Sequence, residues 1–143
     1  SGAMIDPGVM EWAGVAVFKH AHQIYKERGY RTRLLSAAFR NHMHWSQILG
    51  GDCVISPPFG WQVKINKAGL TPNLNSIEEP VDPTILNTLK TLPEFNKMYE
   101  VDGLKPEEFT NFGATLRTLR GFLQSVNDLE AFVRDVTVPN PDK

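Results

Sequence analysis

The stretch Arg33–Asn41 carries the residues of this chain best suited to chemistry: an apolar run that ends in small residues and then a cation, Arg40. The run predicts one short buried strand, so Arg40 lies where the strand ends and the next helix begins. In alternating β/α proteins, ligands bind at that end of a strand. A guanidinium is permanently charged and donates two parallel hydrogen bonds, which suits a phosphate. An ordinary ion pair at a loop is the other interpretation, and the spacing leaves both open.

Two histidine pairs, His20 with His22 and His42 with His44, have the residue type of metal ligands. Residues two apart on a helix point to different sides, whereas a shared metal needs a spacing of four. We therefore predict no metal site. His42 and His44 follow Arg40 closely and are candidates for the edge of a ligand site, with an ordinary loop surface as the alternative.

The remaining nucleophile candidates match no motif. Cys53 lies in an apolar run and is expected to be a small buried residue, because reactive thiols need an electropositive setting. As the one cysteine it forms no internal disulfide, which favours a reducing compartment such as the cytoplasm. Ser36 and Ser56 lie outside any Gly-x-Ser-x-Gly pattern, and there is neither a phosphate loop nor a dinucleotide fingerprint. We expect no cofactor.

Length and charge bound the class of protein. The chain has 143 residues, 41% of them hydrophobic and 22% charged, which is typical of one globular domain. A net charge of −1 provides no basic excess for nucleic acid or an anionic membrane. No apolar stretch approaches the roughly 20 residues that cross a bilayer. Residues 1–4 are interpreted as a remnant of protein expression. The natural sequence is expected to begin at Ile5 and to be a piece of a longer protein.

The elements that position Arg40 alternate in type. A helix over about residues 9–28 precedes the strand over 32–38, a short helix over 41–49 follows, and a second strand over 52–56 leads to a helix from Phe59. This order predicts parallel strands with right-handed crossovers. Two parallel strands do not form a self-sufficient sheet, so the sheet is expected to be incomplete.

The second half of the chain changes character. Residues 70–81 read as a surface loop, and helices are predicted over 82–92, 93–101 and, longest, 111–136. The last one keeps its apolar residues on one face. We divide the chain into a βα segment at 5–69, a loop and helical segment at 70–136, and a disordered tail at 137–143.

Several of these stretches together resemble the C-terminal half of transaldolases. The residues that carry the resemblance are Asp6-Pro7-Gly8, Ile24-Tyr25-Lys26-Glu27-Arg28-Gly29-Tyr30-Arg31-Thr32, Ala37-Ala38-Phe39-Arg40-Asn41, Gly51-Asp52 and Ile55-Ser56-Pro57. The resemblance covers most of residues 6–67 and, more weakly, 104–136, while about 70–103 departs from it. It implies an α/β fold: the C-terminal portion of a (β/α)₈ TIM-type barrel, with two parallel strands and a helical C-terminal extension.

The resemblance also implies an activity. Transaldolases transfer a dihydroxyacetone unit between sugar phosphates in the pentose phosphate pathway, through a lysine Schiff base. Arg40 matches the arginine that holds the substrate phosphate, and Ala38, Asn41, His42 and Ser56 would edge the site. Ala38 stands where the family signature has a serine, which removes one hydroxyl.

In the transaldolase family the catalytic groups lie on other strands of the barrel. A whole barrel needs about 250 residues, so those strands are not expected within this chain of 143. We therefore assign no catalytic residue to the chain. Lys19 and Lys26 are expected to be solvated charges on a helix face, and Lys64 and Lys67 follow the second strand without acting as nucleophiles.

A second hypothesis is a non-catalytic half-barrel module that self-associates or binds a protein partner. Open parallel strands template pairing, and large apolar patches rarely stay bare. The partners expected from the two hypotheses are a sugar phosphate in the complete barrel, and either the N-terminal half of the parent or a second copy. Neither hypothesis involves nucleic acid or a membrane.

Overall fold

A computed structural model describes residues 4–138 and 140–142. The chain divides into two compact units, one ending at Gly103 and the other beginning at Leu104. The predicted expression remnant lies outside the described residues except for Met4. Of the predicted disordered tail, residues 139 and 143 lie outside them.

Helices dominate the described residues. In chain order the elements are α1 (Pro7–Met10), α2 (Ala13–Arg28), β1 (Leu35–Ser36), α3 (Met43–Ser46), β2 (Val54–Ile55), α4 (Phe59–Ala68), α5 (Pro83–Lys90), α6 (Pro93–Tyr99) and α7 (Gly113–Thr137), with 3₁₀ turns at Ser76–Glu78 and Pro106–Thr110. Within the described part of the chain, none of the helices combines the length and apolar character that crossing a bilayer requires.

Local sequence sets several helix ends. The Asp6 carboxylate accepts a hydrogen bond of 2.6 Å from the Gly8 amide at the start of α1, and Asp82 accepts one of 2.7 Å from Thr84 at the start of α5. In both cases proline holds the first helical position, where its missing N–H costs nothing. Helix α2 ends at Gly29, whose φ of 60° is left-handed.

The core of the first unit lies where α2 meets α5 and α6. Leu89 is fully buried and Phe95 is 2% exposed, and both pack with Ala16 and Val81. Partly buried side chains extend this cluster: Val9, Trp12, Ala13, Val17, Ile85, Leu86, Leu92 and Tyr99. The apolar stripe of α2 therefore packs against helices of the segment that departs from the transaldolase pattern.

The expectation of a barrel portion in an α/β fold is wrong for the described residues. The sheet has two strands, parallel as predicted, with Leu35 opposite Val54 and Ser36 opposite Ile55. Each strand is only two residues long, where we expected about 32–38 and 52–56. The ladder continues one bond to either side, from the Val54 amide to Leu34 and from the Ser56 amide to Ser36.

Local geometry explains why the strands stop. Ala38 adopts a φ of 54°, which turns the chain out of the extended conformation. Pro57 and Pro58 end the second strand, because they have no N–H to donate. A buried parallel strand also needs cover on both faces, and Leu35 is 55% exposed. Residues 32–38 and 52–56 have strand propensity, but only two residues of each stretch form a strand.

The second unit consists of the 3₁₀ turn at Pro106–Thr110 and helix α7. At the turn, the Glu108 carboxylate accepts a hydrogen bond of 2.8 Å from the Lys105 amide. Helix α7 begins and ends close to the predicted 111–136. All of its residues are exposed, including those of the apolar face.

We predict that Gly50→Ala destabilises the protein by more than about 2 kcal/mol, because left-handed strain adds to a backbone clash. Gly50 has a φ of 97°, and a Cβ there would overlap the main-chain oxygen of Leu74. Gly29→Ala is the matched control: it has a φ of 60° but open space around it. It should cost only about 1 kcal/mol. Urea unfolding measures both, and equal losses would contradict the packing described here.

Candidate functional site

The loop between β1 and α3 holds the predicted ligand residues. It leaves the strand at Ser36, which is buried and donates a hydrogen bond of 2.8 Å from its hydroxyl to the carbonyl of His44. This bond ties the end of β1 to α3. The left-handed Ala38 then reverses the chain and places Arg40 outside the buried Phe39. A non-glycine residue in this conformation is uncommon and costs energy, so the surrounding contacts must hold it.

Arg40 is exposed at the carboxyl end of β1. Its Nη1 donates to the carbonyl oxygens of Ala38 at 3.2 Å and Phe39 at 3.4 Å. Within the described residues, no carboxylate lies within ion-pair distance of the guanidinium. The ordinary ion pair that was the other interpretation is therefore not present in this part of the chain, and the cation is open to an anion from solution.

His44 holds the main chain of the loop at Arg40. The Arg40 amide donates a hydrogen bond of 3.2 Å to His44 Nδ1, so that nitrogen carries no proton. Burial lowers the pKa of His44 below its ordinary value, and the positive charge of Arg40 lowers it further. A neutral imidazole holds the loop backbone without adding charge next to the guanidinium.

The other predicted edge residues have different surroundings. Asn41 anchors the loop: its Nδ2 donates to the carbonyl of Glu11 at 3.2 Å, and its Oδ1 accepts from the Met43 amide at 2.9 Å. His42 is exposed. Ser56 is also exposed and follows β2 at the same end of the parallel pair. Of the predicted edge residues, Asn41 therefore positions the loop, while His42 and Ser56 lie open to solvent.

Lys19 is the residue whose environment we predicted wrongly. It is 9% exposed, and its ammonium donates hydrogen bonds of 2.7 Å to the carbonyl oxygens of Ser76 and Glu79. Burial lowers its pKa, an effect opposed by the nearby Glu79 carboxylate. Lys26 lies about two turns farther along the same side of α2, but it is exposed and pairs with Glu78 at 2.9 Å, as a solvated charge does. The sequence offers no signal for Lys19, because its partners are main-chain atoms about 60 residues away.

A cleft of about 690 Å³ opens beside Lys19. Its polar lining mixes both signs of charge, with Lys19, His20, Lys26, Glu78 and Glu79 among the lining residues. His20 stacks on Tyr99 with ring centroids 4.4 Å apart, so its ring packs against α6. No residue from 37 to 42 lines this cleft, so the Arg40 loop and the cleft are separate features.

Metal and thiol chemistry find no support in the described residues. They contain no group of three His, Cys, Asp or Glu side chains that would hold a metal ion. Cys53 is half-buried, and burial raises the pKa of its thiol, with Asp52 and Glu78 adding to the rise. A thiol with a raised pKa stays protonated and is a poor nucleophile.

We predict that Lys19→Met destabilises the protein by about 1–3 kcal/mol, because the carbonyls of Ser76 and Glu79 lose their charged donor. Lys26→Met on the same helix is the control. It removes an exposed ion pair, whose loss costs about 1 kcal/mol or less. Chemical unfolding compares the two variants. A larger loss for Lys26→Met would contradict the assigned role of Lys19.

We predict that His44 titrates below 6.5 in the folded protein. Between that lowered pKa and 6.5 the unfolded chain binds more protons, so stability falls as the pH falls through this window. Arg40→Ala should raise the His44 midpoint, whereas Arg33→Ala, whose charge pairs with Asp52, should leave it unchanged. NMR titration of the imidazole protons measures the His44 midpoint in the unaltered protein and in both variants. An unshifted midpoint in Arg40→Ala would show that Arg40 does not lower the pKa of His44.

Comparison with known proteins adds no identity to this geometry. No protein-family model, no curated protein and no solved structure matches the chain. The features that bear on function are therefore the exposed guanidinium of Arg40 at a strand end and the stretches around it that resemble transaldolases.

Proposed function

We propose that this chain is the C-terminal part of a transaldolase-like enzyme that transfers a dihydroxyacetone unit between sugar phosphates. Arg40 binds the substrate phosphate, and the Schiff-base lysine lies outside the chain. The observation that carries the proposal is the open guanidinium of Arg40 at the carboxyl end of a parallel strand. Ligands of alternating β/α proteins bind at that position, and the surrounding residues 37–41 are those that resemble the transaldolase signature.

The hydrogen bonds of Arg40 leave it competent to bind. Among the described residues, its side chain hydrogen-bonds only to two carbonyls of its own loop, and Nη1 makes both bonds. These bonds orient the guanidinium without neutralising it. Nε and Nη2 keep their donors available, so a phosphate gains charge-assisted bonds and displaces only water.

The loop is held by groups that do not compete for the anion. His44 accepts from the Arg40 amide, and Asn41 bonds to the backbone on both sides. Ala38, in place of a serine, offers the substrate no hydroxyl. We infer that the phosphate relies on Arg40 more heavily than it would with a serine at that position.

The surroundings of the lysines support a nucleophile outside the chain. The Lys19 amine is engaged by two carbonyls and lies beside a cleft that the Arg40 loop does not line. The ammonium group of Lys64 lies over the ring of Trp61 at 4.7 Å, in a cation–π contact. A Schiff-base lysine needs a neutral amine next to the bound ketose.

We place the enzyme in the cytoplasm and in the pentose phosphate pathway. The compartment is inferred from the lone Cys53, and the pathway follows from the proposed activity. The second candidate function is a non-catalytic module that self-associates, and the observation that favours it is the exposed apolar face of α7.

We predict that Arg40→Ala lowers kcat/KM for fructose 6-phosphate about 10- to 100-fold in the longer protein that the proposal requires, one that also contains the Schiff-base lysine. The expected size is that of one lost charge-assisted interaction. Arg33→Ala removes an exposed arginine that pairs with Asp52 and should leave the rate within about twofold. Unchanged kinetics in Arg40→Ala would remove Arg40 from the phosphate site.

Borohydride reduction in the presence of fructose 6-phosphate tests the position of the nucleophile. We expect a stable adduct on the upstream segment of the longer protein and none within residues 5–143, as located by peptide mass spectrometry. An adduct on Lys19, Lys64 or any other lysine of this chain would contradict the proposal, as would a longer protein that forms no adduct at all.

A further inference from the structure

Helix α7 carries a long apolar stripe that nothing in its own unit covers. The helix has 25 residues, and its large apolar side chains are between 40% and 69% exposed. They recur at steps of three and four residues, which places them along one side of the helix. The members of this stripe, here called the α7 stripe, are Leu116, Leu119, Leu123, Val126, Leu129, Val133 and Val136.

The helix needs a partner to be stable. Most helical stability in proteins comes from the packing of an apolar face, and an isolated helix of this kind is marginal in water. Gly113 at its start and Gly121 in its interior weaken it further. The α7 stripe is therefore expected to be buried in the working protein.

The charges along α7 indicate which partner fits. Residues 113–124 contain two arginines, Arg117 and Arg120, and no carboxylate. Residues 125–137 contain three carboxylates and one arginine. One half of the helix is thus net positive and the other net negative by the same amount. A surface with this distribution is complementary to itself when it is turned end to end, which is what a two-fold symmetric interface requires.

The apolar side chains follow the same symmetry. A two-fold axis near residues 124–125 sets Leu123 level with Val126 of a second copy. It also sets Leu116 level with Val133, and it brings Leu119 within one residue, about 1.5 Å along the helix axis, of Leu129. Six of the seven stripe residues are therefore covered by apolar side chains of the second copy, while Val136 lies level with Gly113.

The flanking charges then meet in pairs. At 3.6 residues per turn, Arg120 and Glu130 both lie roughly 80–90° from the local centre of the stripe, and on the same side of it. In an antiparallel helix pair, like flanks face each other, as the e positions do in an antiparallel coiled coil. Arg120 of each copy thus faces Glu130 of the other. Among the described residues neither side chain is in an ion pair, so both are available.

We propose that the α7 stripe is a dimerisation surface that binds α7 of a second copy of this chain in antiparallel orientation. Reciprocal Arg120–Glu130 ion pairs fix the orientation. A parallel pair is disfavoured, because it would place the two arginine-bearing halves side by side.

The test is a charge swap in the full chain, followed by sedimentation equilibrium at low ionic strength. The unaltered protein should be a dimer. Arg120→Glu and Glu130→Arg should each raise the dimer dissociation constant roughly tenfold or more, because each places like charges together at two symmetric positions. The double variant should return it to within about threefold of the original.

Arg117→Glu is the matched control. It makes the same change of charge in the same half of the helix, but on the side roughly 140° from the stripe. It should shift the dissociation constant by less than about threefold. Circular dichroism of each variant checks that α7 remains helical.

Three outcomes would overturn the proposal. One is a monomer at every concentration reached. Another is a dimer that the single swaps leave unchanged or strengthen, as a parallel pair would behave. The third is a double variant that stays as weak as the single ones. None of these results bears on the kinetics of Arg40→Ala, so the dimer and the sugar-phosphate activity fail or stand separately.

Discussion

The burial of Lys19 is the constraint on which the arrangement of the first unit depends. Helix α2 contributes Ala16 to the apolar core and, from a neighbouring position, an ammonium group to the carbonyls of Ser76 and Glu79. A buried amine without these acceptors would be costly, so the 3₁₀ turn at Ser76–Glu78 must lie against α2. That segment in turn approaches the loop before β2, where Ile77 donates from its amide to Leu49 at 2.9 Å.

The short parallel pair ends next to the candidate site but does little to hold it. Two residues in each strand provide little sheet energy. The loop after β1 is held instead by side-chain bonds, from Ser36 to the carbonyl of His44 and from the Arg40 amide to His44 Nδ1. The geometry of Arg40 therefore depends on α3 more than on the sheet, which explains how a fold with so little sheet still presents a cation at a strand end.

The two units offer different kinds of surface. The first carries the open cation Arg40 on a loop whose backbone is held by hydrogen bonds, an arrangement suited to a small anion. The second carries an extended apolar stripe with opposite charge at its two ends, an arrangement suited to another helix. A sugar-phosphate enzyme and a self-associating module are thus compatible functions of one chain, since neither surface uses the residues of the other.

The sequence by itself determined most of the helices and the position of Arg40 after a strand. The predicted helix over 9–28 is divided into α1 and α2, and the one over 41–49 is reduced to Met43–Ser46. Asp82-Pro83 begins a helix and Gly29 ends one through local bonds and local φ, which need no tertiary partner. The parallel pairing of the two strands also followed from the order of elements. Only the tertiary structure decided that the strands shrink to two residues, that Lys19 is buried and that His44 holds the Arg40 amide. These outcomes depend on atoms distant in sequence, often main-chain carbonyls, which leave no mark on residue type or spacing.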